Sequence, residues 1–132
     1  MPDLPSAREV TNDVLVREFV DVFEKKDASL LGAFLAEDVV FENYGDPEIH
    51  GRAAVVSMWE NVFRTFEAVK FETLNQAVSG DLVIAEQVHG LGLPGRSTAP
   101  IRNLAVYEIR DGLITAWRDY TNPDKARQLL TA

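Results

Sequence analysis

Asp111-Gly112-Leu113-Ile114-Thr115-Ala116-Trp117-Arg118-Asp119-Tyr120 is the stretch that decides the fold. Asp-Gly between two apolar runs predicts a tight hairpin, because glycine accepts the positive φ that such turns require. Beyond it Leu113, Thr115, Trp117, Asp119 and Thr121 alternate with Ile114, Ala116, Arg118 and Tyr120, the period of two of a strand. Upstream of the hairpin lies a second strand, Ile101 to Arg110, on which Ile101, Asn103, Ala105 and Tyr107 share a face. Two more strands precede it, Val69 to Gln76 and Leu82 to Leu91, joined by a turn at Ser79-Gly80-Asp81. The prolines and glycine of Leu93 to Pro100 predict a loop at the edge of the sheet. These four strands are expected to pair mainly antiparallel.

Further out the period changes to that of helices. Val14, Leu15, Phe19, Val22 and Phe23 mark an amphipathic helix from Thr11 to Lys26, capped by Thr11 or Asn12, after a loose arm over residues 1–10. Asp27 caps a short helix over Ser29 to Leu35, and Val39 to Tyr44 follows as a short strand ended by Gly45-Asp46-Pro47. Past His50-Gly51, with His50 read as a turn residue, Val55, Met58, Trp59, Val62, Phe63 and Phe66 recur at helical spacing. Pro123 to Leu130 closes the chain as a last helical turn or two. Helices followed by antiparallel strands give an α+β fold in which a bent sheet wraps against helices, and no linker or repeat divides residues 1–132.

Composition narrows the function. With 46% hydrophobic and 26% charged residues, the chain has the makeup of a globular domain, and no apolar run approaches the roughly 20 residues of a membrane span. The first residues show neither a basic start nor an apolar stretch, so a cytoplasmic location is expected. No cysteine is present, which removes disulfides, thiolate nucleophiles and cysteine zinc sites. The formal charge of −8 disfavours a phosphate backbone as partner, since Arg102, Arg110, Arg118 and Arg127 are interspersed with Glu108, Asp111, Asp119 and Asp124. With only two histidines, a metal site is not expected, and no nucleotide or other cofactor is implied.

Taken together, the closing strand through Arg118-Asp119-Tyr120, the segment Leu35-Ala36-Glu37-Asp38-Val39-Val40-Phe41-Glu42-Asn43 and the later Gly51-Arg52-Ala53-Ala54-Val55 resemble the limonene-1,2-epoxide hydrolases. Those proteins belong to the nuclear transport factor 2-like superfamily, with its SnoaL-like polyketide cyclase and ketosteroid isomerase-like branches. The resemblance implies a cone-shaped sheet closing a pocket, commonly in a homodimer, over about Val14 to Leu130. In the resembling hydrolases two aspartates with an arginine between them act as base and acid, while an asparagine and a tyrosine hold the water. Asp119 matches the base and Asn43 the asparagine. Gln87-Val88-His89 stands in place of arginine, one residue and the acidic aspartate, and Phe41 in place of the tyrosine.

Strand parity supports a shared site independently. Gln87 and His89 are two apart, as are Phe41 and Asn43, so each pair projects to one side of its strand. An inward Asp119 beside apolar and amide groups would have its pKa raised, as suits a general base. Histidine gives up a proton near neutral pH, so His89 can replace the missing acid, with Gln87, Asn43 and Asn103 positioning water or substrate. Phe41, Val62, Phe66, Ile101 and Tyr107 supply expected walls for a small, largely apolar molecule, whereas Trp59, Met58 and Trp117 read as core. Ile114, Ala116 and Tyr120 are expected on an outer, dimer-forming face. Two functions follow: an acid–base enzyme performing epoxide hydration or proton transfer next to a carbonyl, or a ligand-binding or dimerisation domain that kept the cone without the chemistry.

Overall fold

The computed structural model describes residues 4–132. Helix α1 spans Ala7–Asp21 and continues as a 3₁₀ turn, Val22–Lys25. It starts earlier than the apolar pattern predicts because Ser6 forms a capping box with Glu9, a signal that lies ahead of the first periodic residues. The expected loose arm is therefore helical from Ala7, and its first three residues lie outside those described. Lys26, at φ 55°, ends the turn, and Asp27 then caps α2, Ala28–Gly32, through its carboxylate and the Ser29 backbone N–H.

The chain next runs through β1 (Leu35–Asn43), β2 (Ile49–His50), α3 (Arg52–Thr65), β3 (Ala68–Ser79), β4 (Leu82–Gly92), β5 (Ala99–Arg110), β6 (Leu113–Thr121) and α4 (Pro123–Leu130). His50 is thus the end of a two-residue strand paired with Val40, exposed, rather than a turn residue. Six strands form one curved, unclosed sheet in the order β2-β1-β6-β5-β4-β3. The four long C-terminal strands are antiparallel as expected, but β1 lies parallel to β6, which makes the sheet mixed. This pairing sets Asn43 beside Asp119 and Phe41 beside Trp117.

The Asp111-Gly112 hairpin has φ of 52° and 76°, the left-handed pair of a two-residue turn that matches strand twist. Just inside it the register shifts between Glu108 and Ile109. That bulge turns Ile114 into the core, fully buried, so Ile114 leaves the outer face where simple alternation puts it. Gly90 serves a different need: a Cβ there would sit 2.9 Å from the Lys70 carbonyl oxygen of β3, so a side chain would push the two strands apart.

The helices pack into the concave side over an aromatic core. Phe19 of α1, fully buried, meets Phe23, Phe34, Tyr107 and Trp117 edge-on at centroid distances of 5.1–6.0 Å. Trp59 of α3 stacks on Trp117 at 5.5 Å. Offset and edge contacts of this kind add to the burial of the rings themselves. Because Phe19 is fully buried among four rings, two of them on the sheet, Phe19→Ala is expected to cost about 3–5 kcal/mol. Urea unfolding midpoints at constant m-value check this.

Candidate functional site

Between the sheet, α3 and α4 lies an open cavity of about 320 Å³. β1 contributes Phe41 and Asn43, and the segment after it Asp46, Pro47 and Ile49; α3 and its end contribute Met58, Trp59, Val62 and Phe66. The long strands supply Phe71, His89, Leu91, Ile101, Asp119 and Thr121, and α4 supplies Ala126 and Leu130. Asn43, Asp46 and Pro47 are exposed and form the rim, while Asp119 is only 5% exposed.

Asp119 sits at the centre of a buried polar network built by strand parity. Trp117, two residues earlier on the same face, donates its indole N–H to Asp119 Oδ1 at 3.0 Å, and Asn103 Nδ2 donates to the same oxygen at 3.0 Å. Oδ2 accepts no hydrogen bond from the described residues. Burial raises the Asp119 pKa to about 6, against the opposing pull of the Asn103 and Trp117 hydrogen bonds. A carboxyl group in this state populates both its forms near neutral pH.

Behind Asp119 the network is neutral. Thr121 donates its hydroxyl to Asn103 Oδ1 at 2.7 Å, which fixes the Asn103 amide with Nδ2 towards Asp119. The same Nδ2 lies 3.3 Å from Gln87 Oε1, and Gln87 Nε2 donates to the Tyr107 hydroxyl at 3.1 Å. Gln87 therefore presents its carbonyl to His89, whose Nε2 lies 2.7 Å from it and must carry the proton. His89 Nδ1 is then an unprotonated acceptor with no protein partner among the described residues. The imidazole stacks flat on Phe71, with centroids 3.7 Å apart and planes 5° from parallel, and its burial lowers the pKa to about 3.

A model of the SnoaL-like domain family matches residues 16–117. The chain belongs to the SnoaL-like domain family. Epoxide hydrolase EphG of Mycobacterium tuberculosis is 29% identical to it over 107 residues, covering 80% of this chain and 69% of that protein. A solved LEH-like epoxide hydrolase from M. tuberculosis is 26% identical with a TM-score of 0.78, over 93% of this chain and 91% of that one. A structure named as a SnoaL-like polyketide cyclase, from Jannaschia sp. CCS1, has a TM-score of 0.86 over 99% of both chains at 13% identity, a likeness of fold alone.

In this SnoaL-like chain the cavity brings together Asp119, His89, Asn43, Phe41, Val62, Phe66 and Ile101. Three residues expected in the pocket lie behind its wall instead: Gln87 and Tyr107 are almost fully buried, and Asn103 touches Asp119 without lining the cavity. Tyr107 is consequently no wall for a ligand; burial raises its phenol pKa, with the Asp119 charge adding to the effect. Asn43 is beside Asp119 in register but stands at the rim, outside the buried network. His89 and Asp119 share the cavity without a direct hydrogen bond; Asn103 Nδ2 donates to Asp119 and lies 3.3 Å from the protonated His89 Nε2, a contact between two donors that is not a hydrogen bond.

The expected imidazolium at His89 is corrected by this geometry. The groups against the ring are the Gln87 and Asn103 amides and Phe71, none of which carries a negative charge to offset the cost of burying an imidazolium, so the ring is neutral near pH 7. The SnoaL-like site also recruits residues read as core from the sequence. Met58 and Trp59 line the cavity, and the indole N–H of Trp117 is one of the two donors on Asp119. Trp117 shares the Asp119 face at a spacing of two, the signal by which its donor role is legible. Among the described residues, no three His, Asp or Glu side chains converge as a metal would require.

Proposed function

We propose that this protein is an acid–base enzyme in which Asp119 moves a proton on a small, largely apolar molecule, at a carbon next to a carbonyl group. The observation that carries this reading is one buried carboxyl group with a raised pKa, one oxygen held by two donors, and, among the described residues, no second carboxyl group in its network. In such a step the C–H bond breaks, the proton passes to Oδ2, and the electron pair enters the carbonyl as an enolate. The same carboxylic acid then returns the proton at another carbon, so one residue serves as base and acid. Asn103 and Trp117 orient the carboxyl group, Gln87 and Tyr107 hold Asn103 and His89 in place, and the Asn43 amide at the rim positions the polar end of the substrate. Phe41, Val62, Phe66 and Ile101 hold the apolar body.

Epoxide hydration is the second reading, favoured by the similarity to two mycobacterial epoxide hydrolases. It asks more of the site, because a proton must reach the epoxide oxygen while Asp119 takes another from water. The only proton on a neutral His89 is engaged with Gln87.

Incubating the protein in D₂O with cyclic ketones, and separately with terpene-like epoxides, distinguishes the readings. Deuterium incorporation next to the carbonyl, faster than in buffer, is expected by NMR. Diol formation without exchange would install the second reading, and inertness in both assays would favour a binding domain.

We also propose a homodimer formed through the outer face of the sheet. Leu104 and Tyr120, directly paired across β5 and β6, are 42% and 41% exposed, and Tyr44 packs beside Tyr120 at 5.5 Å. Leu104→Glu is expected to halve the mass measured by light scattering, and an unchanged mass would remove this face as the contact.

A further inference from the structure

The cavity's charge is one-sided. Among the described residues its lining includes two carboxylates, Asp119 and Asp46, but no lysine or arginine. Asp119 is nearly buried and keeps Oδ2 unpartnered, so its negative charge stands poorly solvated in the cavity wall while Oδ2 remains free for the carbon proton. The remaining nitrogen acceptor, His89 Nδ1, is equally without a proton to offer, because Gln87 draws the ring's proton to Nε2. Around these acceptors stand the rings of Phe41, Trp59 and Phe66. Aromatic faces attract cations through their negative quadrupole, and do so most strongly where water is excluded. A carboxylate or phosphate ligand would meet the charges of Asp119 and Asp46 with no cation of the lining to offset them.

We propose that the cavity takes a cationic ligand: a small carbonyl compound bearing a protonated amine on an apolar body, its charge balanced by Asp119 and Asp46. This names the substrate class of the proposed reaction, and rests on that reading for turnover but not for binding. The ammonium also supplies what the protein lacks. Proton removal next to a carbonyl leaves an enolate, and the cavity lining offers it no fixed cation. A substrate-borne ammonium places positive charge near the developing oxyanion, keeps its own bonds unchanged, and makes that carbon acid easier to ionise.

The test is a binding titration at pH 8, followed by the fluorescence of Trp59 and Trp117, with three probes that share one skeleton: cyclohexylmethylamine, cyclohexylmethanol and cyclohexanecarboxylate. The amine is expected to bind about tenfold tighter than the alcohol, and the carboxylate about tenfold weaker. In Asp119→Asn the amine should lose most of its advantage while the alcohol binds as before, and Asp46→Asn should give a smaller loss. Equal binding of amine and alcohol, or carboxylate binding as tight as the amine's, would overturn the proposal. So would an amine preference that survives both substitutions. Amine selectivity together with proton exchange indifferent to Asp119→Asn would keep the ligand class and remove Asp119 as the base.

Discussion

Asp119→Asn is expected to lower kcat/KM by about 10²–10⁴-fold, the usual worth of a positioned general base, while making the folded protein more stable above pH 7. Both effects have one cause. The Asp119 carboxyl titrates at about 6 in the fold against 3.8 in an open chain, so ionising it inside costs the native state about 3 kcal/mol that the unfolded state is spared. An amide keeps an oxygen for the Asn103 and Trp117 donors and carries no charge to desolvate. Urea unfolding at pH 8 should therefore place the variant's midpoint above that of the wild type, a trade of stability for function. A lower midpoint would mean that the carboxylate is better solvated than its burial implies.

The second large effect concerns acid stability, where Asp119 and His89 oppose each other. Asp119, with its folded pKa raised, binds more protons in the native state between about pH 4 and 6, so its contribution to stability falls as pH rises through that window. His89, with its folded pKa lowered from 6.5 to about 3, binds more protons in the unfolded state, so its contribution is lost as pH falls below about 6.5. In the wild type the two slopes nearly cancel between pH 4 and 6. Removing Asp119 as Asn exposes the histidine slope, and the variant should lose about 1.4 kcal/mol more than the wild type for each pH unit below 6. His89→Phe, which retains a ring against Phe71, should show the reverse and gain relative to the wild type as pH falls from 6 to 4. Midpoints collected at each pH unit, variant minus wild type, separate these two groups from the other carboxylates.

The parts of the fold that depend on short-range pattern were legible in the residues. Alternation placed Gln87 with His89 and Trp117 with Asp119, and the Asp111-Gly112 turn fixed the β5–β6 hairpin. What pattern could not show was anything requiring two distant elements to meet. The bulge at Glu108 and Ile109 turned Ile114 inward, which alternation alone misplaces. The parallel contact of β1 with β6 joins strands separated in the chain by β2, α3, β3, β4 and β5, and it sets Asn43 at the rim beside Asp119. Ala126 and Leu130 belong to a short helix with no buried residue, so nothing in their spacing separates a cavity wall from a solvated turn.

The site divides along the same line. That Asp119 faces inward follows from parity and resemblance together, but the charge state of its neighbour does not. His89 reads as a proton donor only while its surroundings are unknown. Once Phe71 covers one face and the Gln87 carbonyl accepts the hydrogen bond of Nε2–H, the ring is neutral and Nδ1 is its free acceptor. The pair Gln87 and Asn103 likewise reads as substrate-positioning from sequence and proves to be a buried brace, one step removed from the cavity. The result is a carboxyl group whose hydrogen-bond network, among the described residues, holds no cation and no second carboxyl group.

The pH dependence of kcat/KM for proton exchange tests this account most directly. A single rising limb with a midpoint near 6, level above pH 7 and abolished in Asp119→Asn, is the predicted profile. A bell whose falling limb lies near pH 7 and disappears in His89→Phe would contradict it, because that limb would belong to an imidazolium donor.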